Sequence, residues 1–304
     1  MKGLCTYTKY LVLAVITGSS AVYAGTPVLT TITTDKATLD GNVVTMLAAT
    51  GNARVTASNT VLTNSAALIT LTQLAIDNYD AVGGATLPGG TDPLSNGGDR
   101  ASAVTILAAT KLIHDDGLIN NLKGYNEYIG SLPTGTSDEL AGTLGVVIGR
   151  LVPSRTLFDL AVGATGGFYD ADKKALFVTQ YRTLQGYHDS LRLADFNSQY
   201  ASINTAYVAE IDLFDMVLPN ATGLYDSING FIAYPESSPN YIYGSSARAS
   251  MLVLMRNTAV IIGDLNVRLG KTALATAYLI DSASLTGTSR KTAATNAKNY
   301  ALAA

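Results

Sequence analysis

Two histidines in this chain stand directly before aspartates: His114 precedes Asp115-Asp116, and His188 precedes Asp189. Imidazole beside carboxylate is the pairing that a general base or a hard metal site needs. If the two segments converged, they would offer one ion two nitrogens and up to three carboxylates, with His114, Asp115, His188 and Asp189 as the candidate ligands. Neighbours on a helix point about 100° apart, so neither pair can chelate alone. His188 also falls in an apolar series, where a core-edge or capping imidazole is the plainer reading.

Other candidate groups are weaker. Asp170 and Asp172 resemble the start of a calcium loop, but Ala175 and Tyr181 stand where such a loop needs glycine and an acid, so helix capping explains them better. The loop from Asp92 to Asp99 offers carbonyls and only two carboxylates. Seventeen tyrosines and no tryptophan give the chain many rings with a hydrogen-bonding tip. Tyr234, Tyr241 and Tyr243, set around Pro235 and Pro239, are the candidate recognition loop; the alternative is a rigid connector with rings packed on a helix. Asp264 and Arg268, four apart, suit a partly buried ion pair, with Arg256 earlier on the same helix. No serine sits in a nucleophile elbow and no phosphate loop of Walker type is present. Gly163–Gly167 follows a helical pattern rather than a strand, which argues against phosphate binding. No cofactor is expected.

These groups are held by a mainly helical chain. Leu68, Leu71, Leu74, Ala75 and Tyr79 recur at helical steps over Ser65–Asp80. The longest periodic stretch runs from Asp172 to Leu218 through Phe177, Tyr181, Leu184, His188, Leu191, Phe196, Tyr200, Ile203 and Tyr207. It predicts a long amphipathic helix, or two joined near Asp195, stopped by Pro219. A further helix is predicted from Ser245 or Ser246 to about Ala277, and an Ala- and Thr-rich end to extend it. Glycine and proline at 83–98, 132–135 and 163–167, and Pro153, mark breaks. Asp99 is the expected N-cap after the first of these. The Thr-rich stretch from Gly25 to about Asn64 is β-branched and favours an extended arm, although Val43–Leu47 could equally start a helix. No repeat is seen at solenoid periods.

Residues 1–24 have the layout of an export signal: Lys2 and Lys9, an apolar core Leu11–Ile16, and Val22-Tyr23-Ala24 before the cleavage point. Residues 25–304 then form one mainly helical domain, with a candidate sub-boundary at 83–98. The only cysteine, Cys5, lies in that signal, so the processed chain has no disulfide, thiol nucleophile or Cys-ligated metal. Charged residues make up 14% of the chain, well below the usual quarter. Without Lys2 and Lys9, 18 cations face 23 carboxylates, which argues against nucleic acid and anionic membranes as partners. No charge-free apolar run of membrane length follows residue 24, so an integral membrane protein is not expected.

The sequence therefore reads as a multi-helix bundle exported to the periplasm, cell surface or medium. The leading functional expectation is a non-enzymatic structural or interaction protein, a surface, matrix or filament subunit whose partners are itself or other surface proteins. A low-charge surface opposes self-association only weakly. The alternatives are a helical binding protein for a small or lipid-like ligand, and an enzyme of unassigned type using the His and Asp groups.

Overall fold

The structure is a computed structural model and describes residues 28–81, 94, 96–163 and 167–304. The export signal, Cys5 and most of the 83–98 segment, including Asp92, lie outside the described residues. Eight α-helices follow one another: α1 (Val28–Ala48), α2 (Gly51–Ala81), α3 (Gly97–Ile129), α4 (Ser137–Val162), α5 (Ala171–Val208), α6 (Leu218–Ala233), α7 (Ser245–Ser284) and α8 (Gly287–Ala303). A π-helical turn, Leu213–Val217, leads into α6. No strand occurs among the described residues.

The Thr-rich segment is helical from Val28 onwards, not extended. Its threonines satisfy their hydroxyls on their own helix: Thr33, Thr34, Thr38 and Thr45 each donate to the carbonyl four residues back. Packing then overrides the β-branched preference. Ile32, Leu39 and Met46 of α1 are buried at seven-residue steps, as are Val61, Leu68 and Ala75 of α2. Seven-residue spacing is the signature of helices that stay in contact along a shared seam. Gly51, at φ +53°, takes the left-handed conformation that turns α1 into α2.

Both prolines expected to end helices sit inside or at the start of one. Pro153 lies within α4, where the carbonyl it deprives of a donor belongs to exposed Gly149 and can be hydrated. Pro219 opens α6, in the first turn, where its missing N–H is no loss. The break after α5 is made instead by Glu210 and Asp212, both at positive φ. Helix α5 does not divide near Asp195. Asn96, rather than Asp99, caps α3, accepting from the amides of Gly98 and Asp99. The chain end forms the separate helix α8, set off by Gly287 at φ +58°.

The described residues fall into two compact units. One comprises the chain up to Pro133 together with Gly145–Tyr187; the other comprises Thr134–Leu144 and His188–Ala304. In the first, α2 and α3 approach closely at Gly117 and Gly124: a methyl on Gly124 would lie 2.8 Å from the Gly51 carbonyl oxygen. In the second, Phe196 and Ile203 of α5, Ala221, Leu224 and Ile228 of α6, and Met251, Leu254 and Ile261 of α7 share one core. Helix α7 is also long and apolar enough to cross a membrane by length and composition, and 28% of its most apolar window is buried in the protein.

The three longest stretches of this pattern begin at a constant interval. Helices α3, α5 and α7 start at Gly97, Ala171 and Ser245, each 74 residues after the last. Three residues before each start stands an apolar side chain: Leu94 and Ile242 are buried, and Phe168 packs on Phe177 at 4.9 Å. In the first turn of each stands a cation, Arg100, Lys174 or Arg248. Each reaches back to the end of the preceding shorter helix: Arg100 to the Asp80 carboxylate, Lys174 to the Gly163 carbonyl and Arg248 to the Ile232 carbonyl. Cations near the carbonyl end of a helix are favoured by its dipole.

Candidate functional site

The His–Asp pairs occupy corresponding places in this pattern, one in each unit. In the first unit, Asp115 is fully buried on α3. Its Oδ2 accepts from the backbone N–H groups of Tyr169 and Asp170, both at 2.9 Å, just ahead of α5. In the second, Asp189 on α5 accepts from the N–H of Tyr243 at 3.2 Å and of Gly244 at 2.6 Å, just ahead of α7. The sequence separations are 54 and 55 residues in both cases. The adjacent histidine meets the same tyrosine edge to face, His114 with Tyr169 at 6.0 Å and His188 with Tyr243 at 6.4 Å, both at 76°.

Each carboxylate thus clasps the amide end of the next long helix. Those amides have no partner within their own helix and carry partial positive charge, so a buried carboxylate satisfies both needs. Asp170 adds a local cap by accepting from the Lys173 amide, and Lys173 pairs with the Asp116 carboxylate. His188 is fully buried, with Nδ1 3.2 Å from Asp189 Oδ1, and its Nε2 has no hydrogen-bond partner. His114 Nδ1 lies 3.9 Å from Asp115 Oδ1, beyond hydrogen-bond reach.

His114 with Asp115, and His188 with Asp189, therefore belong to different units and are each engaged within their own. Among the described residues no group of three or more His, Cys, Asp or Glu side chains is placed to hold a metal ion. The calcium-loop candidate Asp170 is a capping residue, and Asp264 pairs with Arg268 at 3.2 Å and accepts from the Tyr207 hydroxyl. That hydrogen bond, with burial and the carboxylate charge, raises the Tyr207 pKa above its ordinary value. Arg256 instead contacts Asn257.

The tyrosine loop is tied down rather than free. Tyr241 and Tyr243 meet edge to face at 5.1 Å, Arg248 lies 5.2 Å from the Tyr241 ring centre, and Tyr234 packs on Phe231. Tyr234 is the most open of the three, at 39% exposure.

Two features were not foreseen from sequence. The first is a pair of half-buried arginines held against rings, one of which, Arg192, also lies 3.9 Å from the Asp195 carboxylate. Burial lowers the pKa of Arg150 and of Arg192, and each stacks on a ring, Arg150 on Tyr125 at 4.4 Å and Arg192 on Phe231 at 4.2 Å. The second is a cleft of about 470 Å³ in the second unit, beside the π-helical turn. Its rim is made of hydroxyls and amides, including Ser198, Gln199, Ser202 and Asn220; Ile203, Val217 and Leu224 supply apolar surface, and no charged side chain lines it. π-Turns recur at functional sites, but nothing in the sequence marks this one beyond the run Ala209–Asp212.

No family model, curated protein or solved structure matches this chain.

Proposed function

We propose that this protein is an exported, non-enzymatic structural or interaction protein that works by associating with itself or with other surface proteins. One observation carries this reading: the side chains best suited to acid–base or metal chemistry are spent on holding helix ends. Asp115 directs one oxygen and Asp189 both at backbone amides, so that taking either carboxylate for proton transfer would loosen a helix end. The outer surface supports the same reading. Val253, Val260, Val267 and Leu274 recur at seven-residue steps along α7 and all are exposed, the spacing that presents one continuous face to another helix.

Size-exclusion chromatography with light scattering and negative-stain electron microscopy test the proposal. Species larger than a monomer that grow with concentration are expected. A strictly monomeric particle across the whole concentration series overturns it.

The uncharged cleft in the second unit favours a second reading, a helical binding protein for a small neutral ligand. Pockets of a few hundred cubic ångströms with a few converging polar groups are the usual form of such sites. Native mass spectrometry of protein purified from its own host would then find a co-purifying small molecule, and Ser202→Trp would abolish its retention.

A further inference from the structure

The 74-residue correspondence shows what covers one face of each pair of helices. In the first unit, Leu122 and Ile129 of α3 and Val147 and Ser154 of α4 are all buried. The first half of α5 lies there, bonded through the Gln180 carbonyl to Asn126 and stacked through Tyr181 on Phe158 at 4.4 Å. One interval later, Phe196 and Ile203 of α5 and Ala221 and Ile228 of α6 are buried under the first half of α7. One interval later again, the same places are held by Gly270 and Ala277 of α7 and Thr295 and Leu302 of α8. All four are exposed, Leu302 at 76%. The flanking Val267 and Leu274 are 54% and 45% exposed. Helix α8 and the second half of α7 do form a hairpin, with Tyr278 stacked on Tyr300 at 5.6 Å and Lys271 bonded to the Ala303 carbonyl. Among the described residues, no third helix lies on that face.

Resting on the self-association proposed above, we infer that the open face of this α7–α8 hairpin is covered by helix α1 of a second copy of the chain, making a three-helix bundle. The fit has two parts. The open face is slender, since Gly270 and Ala277 replace Phe196 and Ile203, and a Cβ built on Gly270 meets nothing within 4 Å. Helix α1 turns Ile32, Leu39 and Met46 into its own unit and leaves a matching slender stripe, Ala37, Gly41, Val44 and Ala48, exposed on another side. Small residues on both helices permit close approach, so dispersion contacts form along the whole length.

Charge selects the partner. Residues 269–303 carry Lys271, Arg290, Lys291 and Lys298 against Asp281 alone, and Lys291 and Lys298 flank the open face. On α1 the exposed Asp40 flanks the slender stripe and bonds Lys36, while Asp35 lies on the other side of the helix. Pairing two end hairpins would set like charges together, whereas α1 on the hairpin brings opposite charges into contact. An interface between two different surfaces of the same chain does not close on itself at two copies, so chains add head to tail.

Two surface variants of the full chain test this. Val44→Asp removes the head contact and Leu274→Asp the tail contact; both sites are exposed, and unchanged far-ultraviolet circular dichroism and melting confirm the fold. In sedimentation velocity each variant alone is expected to lose every species above the monomer, and an equimolar mixture to form a dimer that grows no further. Lys291→Glu with Lys298→Glu is a second tail variant and is expected to behave as Leu274→Asp does. Val44→Asp that still dimerises alone, with no mixed dimer, assigns the contact to paired hairpins and overturns the inference. Wild type that assembles while no variant changes it also overturns the inference but leaves the self-association reading intact. Wild type that stays monomeric overturns both.

Discussion

The clasp at Asp115 and the clasp at Asp189 perform the same task with different economy. Asp115 takes both amides on one oxygen, Oδ2, and its buried Oδ1 has no hydrogen-bond partner. Asp189 divides the two amides between its oxygens, and Oδ1 also faces His188 Nδ1. In the second unit the imidazole is therefore part of the clasp, while in the first it packs beside it. Identical neighbours in sequence acquire different roles through a difference of less than an ångström in where one ring settles.

The largest test of this comparison is removal of the carboxylates. Asp189→Ala strands two backbone donors and one imidazole, so a loss of about 4 kcal/mol is expected, from charged hydrogen bonds of roughly 1.5–3 kcal/mol each and imperfect relaxation. Asp115→Ala strands two donors, and about 3 kcal/mol is expected. Urea denaturation measures both, and hydrogen exchange should speed up first at Tyr243–Gly244 in one variant and at Tyr169–Asp170 in the other. Equal losses would mean that His188 adds nothing to its clasp.

The histidines sharpen the contrast. His188→Ala empties a fully buried site and removes a partner of Asp189, for which about 2 kcal/mol is expected. His114 is partly exposed and bonds nothing at Nδ1, so His114→Ala should cost under about 1 kcal/mol. A cost for His114 matching that of His188 would erase the distinction.

The smallest effect concerns pH. Burial pushes Glu127 up, but the Gly51 amide and the Arg54 guanidinium together outweigh it and hold the carboxyl below its ordinary value of 4.5. A carboxyl lowered by folding stabilises the protein fully above its unfolded value, and that contribution is lost as pH falls through the folded one. Glu127→Gln should therefore lower the melting temperature by a constant amount near neutrality, and the gap to wild type should narrow below about pH 4.5. A gap unchanged down to pH 3 would show that the Arg54 contact is steric.

The helical class was legible because the period is unbroken where packing is richest: Phe177, Tyr181, Leu184 and His188 on α5 are all buried as their spacing requires. The Thr-rich start was misread because propensity is a weak signal beside tertiary burial of one residue in seven, and because serial hydroxyl-to-carbonyl bonds leave threonine satisfied in a helix. Pro153 and Pro219 were misread because a proline's cost depends on whether a donor was needed at that place. The His–Asp pairs were visible as candidates, yet their partners are backbone amides 54 residues away, which carry no mark in the sequence. A comparison at an interval of 74 would have exposed them: His114 and His188, Asp115 and Asp189, and Tyr169 and Tyr243 all recur at that distance, as do the cations at 100, 174 and 248. Most other positions differ, because a core position accepts any side chain of fitting volume.

The placement of the clasps just ahead of α5 and α7 has a bearing on how such a chain changes length. A cut after Asp170 and another after Gly244 fall at the same phase of the pattern. Joining Asp170 directly to Ser245 would keep the Tyr169 and Asp170 amides on the Asp115 carboxylate and lead them into α7 in place of α5, at an unchanged phase of the pattern. Gain or loss of 74 residues at this phase is thus a single splice that leaves one clasp whole, like a ruler cut at its own graduations.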